Sequence, residues 1–406
     1  MLCLLCSVCF STAFGQNTLN DYLQVALKNS PIFSDNTNQI HALTVDSLLI
    51  GARLKPQLNF TSNNYFAPVI NGYGYDEVIT NRGNYDALLG ANYSFIGADN
   101  LNNQFQSLRL QKQVLELTTK LNERDLKQTV TAQYIVVYGE QQALFNSEKI
   151  LEALRNENVL LKKSTEKGIY RQTDYLSFLV NYNQQQLSYN QQKLQTKNDL
   201  FLLNYLCGIP DTTTIYLAEP ELNGSSRINI EQTSSFKLFI LDSLQLQNSI
   251  EQLHYQYNPK LSLFGDVGFN SSLLFQAEKN FGASIGLNLS IPIYDGNQQN
   301  LQLEKFTLNE NIRLNHLNIF KKQLTIKQQQ LQHQISEMEK LITTAQEQLY
   351  LSKTLLKANN QLLETGDVRI ADYILSLTNF ISSQATTQQL ISNRMQLINQ
   401  LNYLNY

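Results

Sequence analysis

Apolar residues recur every seven positions along a long stretch of the chain that lacks both proline and glycine. The stretch lies between Gly296 and Gly366, and as one helix over about 297–365 it would be roughly 100 Å long. Its two apolar series lie four residues apart, as the a and d positions of a heptad do. The series are Leu317, Leu324, Leu331, Met338 and Ala345, and Ile335, Ile342, Leu349, Leu356 and Leu363. A looser repeat predicts a second long helix over about 101–166. Taken alone, the heptads are also typical of a structural coiled-coil protein.

Strict alternation of apolar and polar residues predicts strands ahead of each long helix. Along 283–293 the odd positions are apolar and the even ones are small or polar, over about the length that a tilted membrane strand needs. The predicted strands are 57–66 and 87–97 before the first long helix, and 260–270 and 282–294 before the second. A soluble β-sandwich also alternates, so the pattern leaves both environments open.

The chain contains two copies of one unit. The segment Leu203–Leu206 (LNYL) recurs as Leu401–Leu404, and further matches keep nearly the same offset of about 200 residues, too long for a solenoid repeat. These matches pair Gly168, Arg171, Asp174 and Tyr175 with Gly366, Arg369, Asp372 and Tyr373. We therefore predict a first repeat over 16–207 and a second over 231–406, joined by a linker over 208–230.

Each repeat has the same predicted order of elements. A short helix over roughly 18–52 or 231–257 comes first, and a proline then breaks it. Two strands follow, then the long helix and a glycine turn. A second helix over about 172–207 or 370–404 ends the repeat.

The first fifteen residues are typical of a secretion signal. An apolar run from Leu2 to Phe14 ends in small residues that permit cleavage before Gln16; a buried N-terminal helix is the alternative. Three of the four cysteines lie in this segment. The remaining one, Cys207, has no intrachain partner, and a small buried apolar role suits it.

Charge and motifs argue against several classes of function. A net charge of −3 gives no basic field for nucleic acid. The histidines His41, His254, His316 and His333 lack metal-ligand spacing, and a solvated helix face suits them better. No phosphate loop or nucleophile elbow occurs. The sequence thus predicts no catalytic residue, no cofactor, no metal site and no nucleic-acid partner.

The strand count has a consequence for any membrane role. After the signal, no apolar run reaches the roughly 18 residues of a membrane-spanning helix, so a membrane protein of this kind would cross by strands. Four strands cannot close a barrel, and lipid does not tolerate open sheet edges. Three identical chains would together supply an allowed even number of strands.

The order of elements resembles the TolC-like outer membrane factor family. Three segments carry the resemblance: the opening Leu19–Pro31 (LNDYLQVALKNSP), Leu203–Pro210 (LNYLCGIP) at the end of the first repeat, and Pro292–Gly296 (PIYDG) after the last strand. The resemblance implies a mainly α protein with membrane β-structure. It would be a homotrimer that forms a 12-stranded β-barrel, four strands per chain, and a coiled-coil α-helical tunnel in the periplasm.

The resemblance also implies a function and partners. The chain would be the outer-membrane channel of a tripartite efflux or type I secretion system, embedded in outer-membrane lipid. It would be a passive exit for small molecules, metal ions or polypeptides. A periplasmic adaptor (membrane fusion) protein would connect it to an inner-membrane pump of the RND or ABC type. The alternative is a periplasmic coiled-coil scaffold without channel activity.

The glycine turns are the candidate functional site. Each glycine would end a long helix in the left-handed conformation, and Asp174 and Asp372 would lie where a carboxylate suits the helix dipole. Simple capping of the helix ends is one interpretation of these residues. The resemblance implies another: a periplasmic tip where Asp367 and Asp372 narrow the pore, Arg171 and Arg369 hold it shut, and the turns dock the adaptor. The candidate residues are Gly168, Arg171, Asp174, Tyr175, Gly366, Asp367, Arg369, Asp372 and Tyr373.

Overall fold

The computed structural model describes residues 18–210, 213, 215–222, 224, 229–272 and 279–405. The predicted signal and parts of the predicted linker lie outside these residues. The described α-helices are α1 (Leu19–Asn29), α2 (Pro31–Arg53), α3 (Glu77–Thr80), α4 (Ala98–Glu166), α5 (Gln172–Leu206), α6 (Ser234–Gln256), α7 (Gln298–Thr365) and α8 (Ile370–Asn402). The described strands are β1 (Gln57–Thr61), β2 (Asn64–Phe66), β3 (Gly83–Phe95), β4 (Lys260–Ser271) and β5 (Phe281–Ser290). None of the described helices combines the length and apolar character that a membrane crossing requires.

The chain divides into two compact units. The helical unit consists of the described parts of Met1–Ser34, Thr119–Ser234 and Phe320–Tyr406. The sheet unit consists of Asp35–Thr118 and, within the described part, Ser235–Ile319. The helical unit holds the two glycine turns and the sheet unit holds all five described strands.

The opening helix is interrupted, so the prediction of one continuous helix over 18–52 is wrong. Ser30 has an extended backbone, and its N–H donates to the Ala26 carbonyl. Pro31 forces this break, because proline disfavours helical geometry in the residue before it. α2 then starts at Pro31, a first helical position where the missing N–H costs nothing.

The five strands form one antiparallel sheet in the order β1-β3-β4-β5, with β2 pairing beside β1 on β3. Where one strand over 57–66 was predicted, there are two. Asp86 of β3 explains the break: its Oδ1 accepts from the Asn63 N–H at 2.7 Å, and its carbonyl accepts from the Ser62 hydroxyl at 2.7 Å. A side-chain acceptor thus interrupts the regular backbone ladder, as at a bulge.

The last strand is shorter than predicted, ending at Ser290 rather than 294. Pro292 follows and has no N–H to donate to a ladder, which explains the early end. β3 starts at Gly83, four residues ahead of the prediction, because Gly83–Tyr85 pairs with β2.

The register places like residues on one face of the sheet. Phe60 lies opposite Leu89, which lies opposite Val267. The next row on this face runs from Leu58 through Ala91 and Gly265 to Ile285. The two rows after it are again apolar: Tyr93, Leu263 and Leu287, then Phe95, Leu261 and Leu289. Because successive side chains point to opposite faces, these rows form one apolar face. The opposite face consists mostly of polar and small residues, with Phe264 between Asn92 and Gly286 as an exception. On that face the Ser284 hydroxyl donates to Asp266 Oδ2 at 2.6 Å.

One core of the helical unit packs α1 against α4 and α5. Tyr134 of α4 is fully buried, makes an edge-to-face contact with Tyr22 and donates its hydroxyl to the Ala218 carbonyl at 2.7 Å. Cys207 is buried in the same core, and burial raises the pKa of its thiol to about 12. This agrees with a small apolar role for the cysteine.

Candidate functional site

Both glycine turns have the backbone geometry of helix C-caps. Gly168 and Gly366 have φ of +77° and +83°, the left-handed region that only glycine adopts cheaply. After the first turn the Ile169 N–H donates to the Ser164 carbonyl at 2.9 Å. After the second the Asp367 N–H donates to the Leu362 carbonyl at 2.9 Å. These bonds satisfy carbonyls that a helix end would leave unpaired.

The first turn, residues 167–171, and the second, residues 366–369, contact each other; together they are called the turn pair below. The Tyr170 hydroxyl lies 2.9 Å from the Leu363 carbonyl and 3.3 Å from the Val368 carbonyl, and donates to both. A Cβ on Gly366 would lie 3.0 Å from Cγ2 of Ile169. The turn pair is therefore one packed structure rather than two separate loops.

A shared apolar core lies beside the turn pair and is called the junction cluster. It joins the hairpin of α4 and α5 to the hairpin of α7 and α8. Its buried members are Ile150, Leu154, Leu161, Phe178, Leu363, Ile370, Tyr373 and Leu377. Phe178 is fully buried and stacks on Tyr182 with ring centroids 6.4 Å apart. The pKa of Tyr373 is raised, mainly by burial of its hydroxyl and to a smaller extent by the negative charge of Glu157.

The predicted charged residues line the surface of the turn pair. Arg369 lies before α8 and donates to both carboxylate oxygens of Asp372, at 2.8 and 3.0 Å. This hydrogen bond raises the pKa of Arg369. The Arg369 side chain is 83% exposed, so the ion pair contributes little to stability.

The remaining candidates occupy different surroundings. Asp367 is exposed and accepts from the Thr365 hydroxyl at 2.7 Å. Asp174 lies in the first turn of α5, as Asp372 does in α8. Tyr175 is half-buried and donates to Asn158 Oδ1 at 3.1 Å. Arg171 is exposed ahead of α5 and makes no side-chain cap bond there.

Comparison with known proteins gives structural matches alone. No protein-family model and no curated protein sequence matches the chain. A membrane protein from Pseudomonas aeruginosa is 16% identical, with a TM-score of 0.76 over 95% of this chain and 92% of that one. The outer membrane channel CmeC of Campylobacter jejuni is 14% identical, with a TM-score of 0.73 over 95% and 85%. The outer membrane protein VceC of Vibrio cholerae is 14% identical, with a TM-score of 0.72 over 95% and 96%.

The chain has the fold of the TolC-like outer-membrane channels. The agreement extends over nearly the whole chain. At these identities it establishes the architecture and not the role of any residue. The role of the turn pair has to be argued from its own geometry.

Sequence reasoning missed several residues of this site. Tyr170 joins the turns although its counterpart in the second repeat is Val368, so repeat matching ignored it. The sequence predicts that Ile169 lies in the first turn and Phe178 on the helix after it. It does not predict their partners, which come from other elements. Tyr373 matches Tyr175 in the sequence repeat, yet Tyr373 is buried while Tyr175 is half-buried.

Valine at Gly366 is expected to destabilise the turn pair more than valine at Gly168. Both substitutions force a β-branched residue into the left-handed region, at about 1–2 kcal/mol each. The Gly366 variant also pushes Ile169, whereas the space around Gly168 is open within 4 Å. Hydrogen exchange of residues 160–175 and 360–375 would measure the difference. Equal losses of protection in the two variants would show that the turns do not depend on each other.

Proposed function

We propose that this protein is an outer-membrane exit channel that assembles as a trimer with a shared 12-stranded β-barrel and a coiled-coil helical tunnel in the periplasm. Cargo would pass through it without chemistry, so it is not an enzyme. The observation that carries the proposal is the exposed apolar face of the sheet in a chain with a TolC-like fold.

The apolar face has no cover within the described chain. Phe60 is 68% exposed, Ile285 80% and Leu287 67%, and their rows continue across β3 and β4. Isolated exposed apolar residues are ordinary, but a contiguous patch of this kind marks an interaction surface. Hydrocarbon fits such a face, because β3, β4 and β5, with 13, 12 and 10 residues, have the length and alternation of membrane strands.

The sheet edges supply the argument for several copies. Among the described strands, β1 pairs with β3 alone and β5 with β4 alone, so each leaves one edge without backbone partners. In lipid, unpaired N–H and carbonyl groups cost several kcal/mol each. Pairing β1 of one copy with β5 of the next would satisfy both edges, and three copies would close the ring.

Unused heptad positions on the helices support the same assembly. Exposed aliphatic residues recur at intervals of seven on α5 and on α7: Val180, Leu187 and Leu194, and Ile312, Ile319 and Ile326. In contrast, Leu317, Leu324 and Leu331 of the predicted α7 seam are buried within the chain. The buried series packs inside one copy, and the exposed series would form coiled-coil seams with neighbouring copies.

The turn pair would form the periplasmic tip of the tunnel. Threefold repetition would arrange Asp367 and Asp372 as acidic rings that narrow the pore and favour cations. Arg369 pairs with Asp372 in one chain, and a closed trimer would add pairs between neighbouring hairpins, with Arg171 in the same role. The helix ends beside Gly168 and Gly366 would receive a periplasmic adaptor, which leads to an inner-membrane pump of the RND or ABC type.

Membrane fractionation tests the proposal against the scaffold alternative. We expect the protein in the outer-membrane fraction, as a trimer that dissociates on heating in a gel, and the purified trimer to conduct ions across a planar bilayer. A spin label at Leu287 should report lipid and one at Asn288 should report water. A soluble periplasmic protein with water at both positions would favour the scaffold.

The Gly366→Val variant should assemble as a trimer but lose crosslinks to the adaptor.

A further inference from the structure

An aromatic residue of β4 lies on the mostly polar face of the sheet. Phe264 is 41% exposed, and its row across the sheet runs from Asn92 of β3 to Gly286 of β5. A Cβ on Gly286 would lie 2.5 Å from Cζ of the ring, so the ring leans over this glycine. Gly286 thus leaves the space that the ring occupies, while part of the ring stays exposed on a face where its neighbours are polar or small.

A carboxylate stands beside this ring. Asp266 lies two residues along the same strand, so it shares the face of Phe264 at a distance of about 7 Å between the two backbone positions. Among the described residues its side chain accepts one hydrogen bond, from the Ser284 hydroxyl, and makes no ion pair. Its neighbours across the sheet are Gly90 and Ser284, which are small, so no bulky side chain of its row covers the carboxylate.

No cation of the described strands competes for this carboxylate. On the polar face of β3, β4 and β5 the charged residues are Asp86, Asp266 and Lys260. Lys260 lies at the start of β4, six residues from Asp266, which is about 20 Å along the strand. Asp86 is buried and accepts from the Asn63 N–H. Within these strands, Asp266 is therefore the carboxylate that a dissolved cation can approach.

We propose that Phe264 and Asp266 together form a binding site for organic cations, such as alkylammonium ions. The carboxylate would attract the positive charge, and the ring would contact the alkyl groups and attract the cation through its quadrupole. Glycine in a strand permits close approach of a ligand to the backbone, and Gly90 supplies this beside Asp266. A potassium ion keeps its water shell and gains little from the ring, so the pair favours organic over inorganic cations.

The purpose of this site rests on the proposed channel. In the shared barrel the polar face would line the interior, so three copies would place three such sites around the passage. Binding there has to be weak, because cargo must leave the site as well as enter it. The cargo that the site favours is a small molecule with a positive charge and apolar substituents.

Tetraethylammonium is the probe, and saturation-transfer NMR of its methyl protons reads binding to the full-length protein in detergent. The unsubstituted protein should give a saturable signal. Asp266→Asn should weaken binding about tenfold, because the charge is lost while the shape stays. Phe264→Leu should weaken it about threefold, because leucine keeps apolar bulk without the ring quadrupole. Glu304→Gln, an exposed change of equal charge on α7, should bind as the unsubstituted protein does. Absence of a saturable signal, or equal binding in Asp266→Asn, overturns the proposal.

Two glycines of β5 provide a matched pair of variants. In Gly286→Ala the new Cβ would lie 2.5 Å from Cζ of Phe264, so the ring must move, and binding should weaken although Asp266 is unchanged. Gly282 lies on the same face of the same strand, and a Cβ there would meet nothing within 4 Å. Gly282→Ala should therefore bind tetraethylammonium as the unsubstituted protein does. Equal binding in the two variants would contradict a role for the ring.

Fluorescence provides a second readout, since the chain contains no tryptophan. Phe264→Trp would place the sole indole at the site, and indole attracts cations more strongly than phenyl does. Its emission should change saturably with tetraethylammonium chloride and not with potassium chloride at the same concentration; an identical response to both salts would count against the site. Neither readout depends on conduction. Binding without conduction in the bilayer would therefore contradict the channel, and conduction without binding would contradict the site.

Discussion

Arginine at Leu287 is expected to remove the protein from the outer membrane. The side chain lies in the exposed apolar row that includes Leu263 and Tyr93. A cation facing hydrocarbon near the middle of a membrane strand costs about 2–4 kcal/mol. Since every copy carries the substitution, the cost recurs three times in a trimer. The heat-dissociable trimer in the membrane fraction should fall at least tenfold, measured by gel against the wild type.

Arginine at the adjacent Asn288 is the matched control. This residue lies on the polar face of the same strand, because neighbouring side chains alternate between faces. A barrel interior filled with water tolerates a cation there. The Asn288→Arg trimer should therefore form normally. Equal loss in both variants would mean that the two faces do not differ in their surroundings.

Alanine at Phe178 is expected to loosen the turn pair strongly. The ring is fully buried in the junction cluster and stacks on Tyr182. Removing a buried phenylalanine costs about 3–5 kcal/mol, from lost burial and from the cavity left behind. A loss of that size corresponds to more than a hundredfold in protection, and hydrogen exchange of residues 172–182 would measure it.

Leucine at Phe178 separates packing from general damage. It keeps most of the buried apolar volume, and such changes usually cost less than about 1.5 kcal/mol. Protection in this variant should stay within about tenfold of the wild type. Similar exchange in the alanine variant and the wild type would show that the junction cluster does not hold the hairpins.

The long helices and their order were predictable because their signals are local. The ends of α7 could be predicted to within a residue or two. Its apolar residues recur every seven positions, it contains no proline or glycine, and a glycine lies at each end. Because the sequence is duplicated, the elements predicted in the second copy, where the pattern is clearer, also predict those of the first copy. The strands followed from alternation, and the register shows that the alternating residues form a continuous face.

The errors lie where a distant or a single residue overrides the local pattern. Ser30 lies within a helical pattern, yet Pro31 excludes helical geometry there. The break between β1 and β2 depends on Asp86, more than twenty residues away. No local pattern at Ser62 or Asn63 reveals that Asp86 will accept their hydrogen bonds, from Asn63 at its carboxylate and from Ser62 at its backbone carbonyl.

The candidate site was partly predictable for the same reasons. Gly168 and Gly366 end unbroken helices, so their left-handed conformation follows from sequence. The contact of Tyr170 with Leu363 and Val368 joins residues about 200 positions apart, which no periodicity encodes.

Disulfide crosslinking between β1 and β5 tests most directly whether copies share a sheet. One cysteine at Asn59 or a neighbour on β1 and another at Asn288 on β5 would place thiols at the two open edges, while Cys207 stays buried. In outer membranes, oxidation should produce covalent species that end at three chains. A barrel closed by three copies would be contradicted if no tested β1 position gave crosslinked chains. It would also be contradicted if the ladder of covalent species on the gel continued beyond three chains.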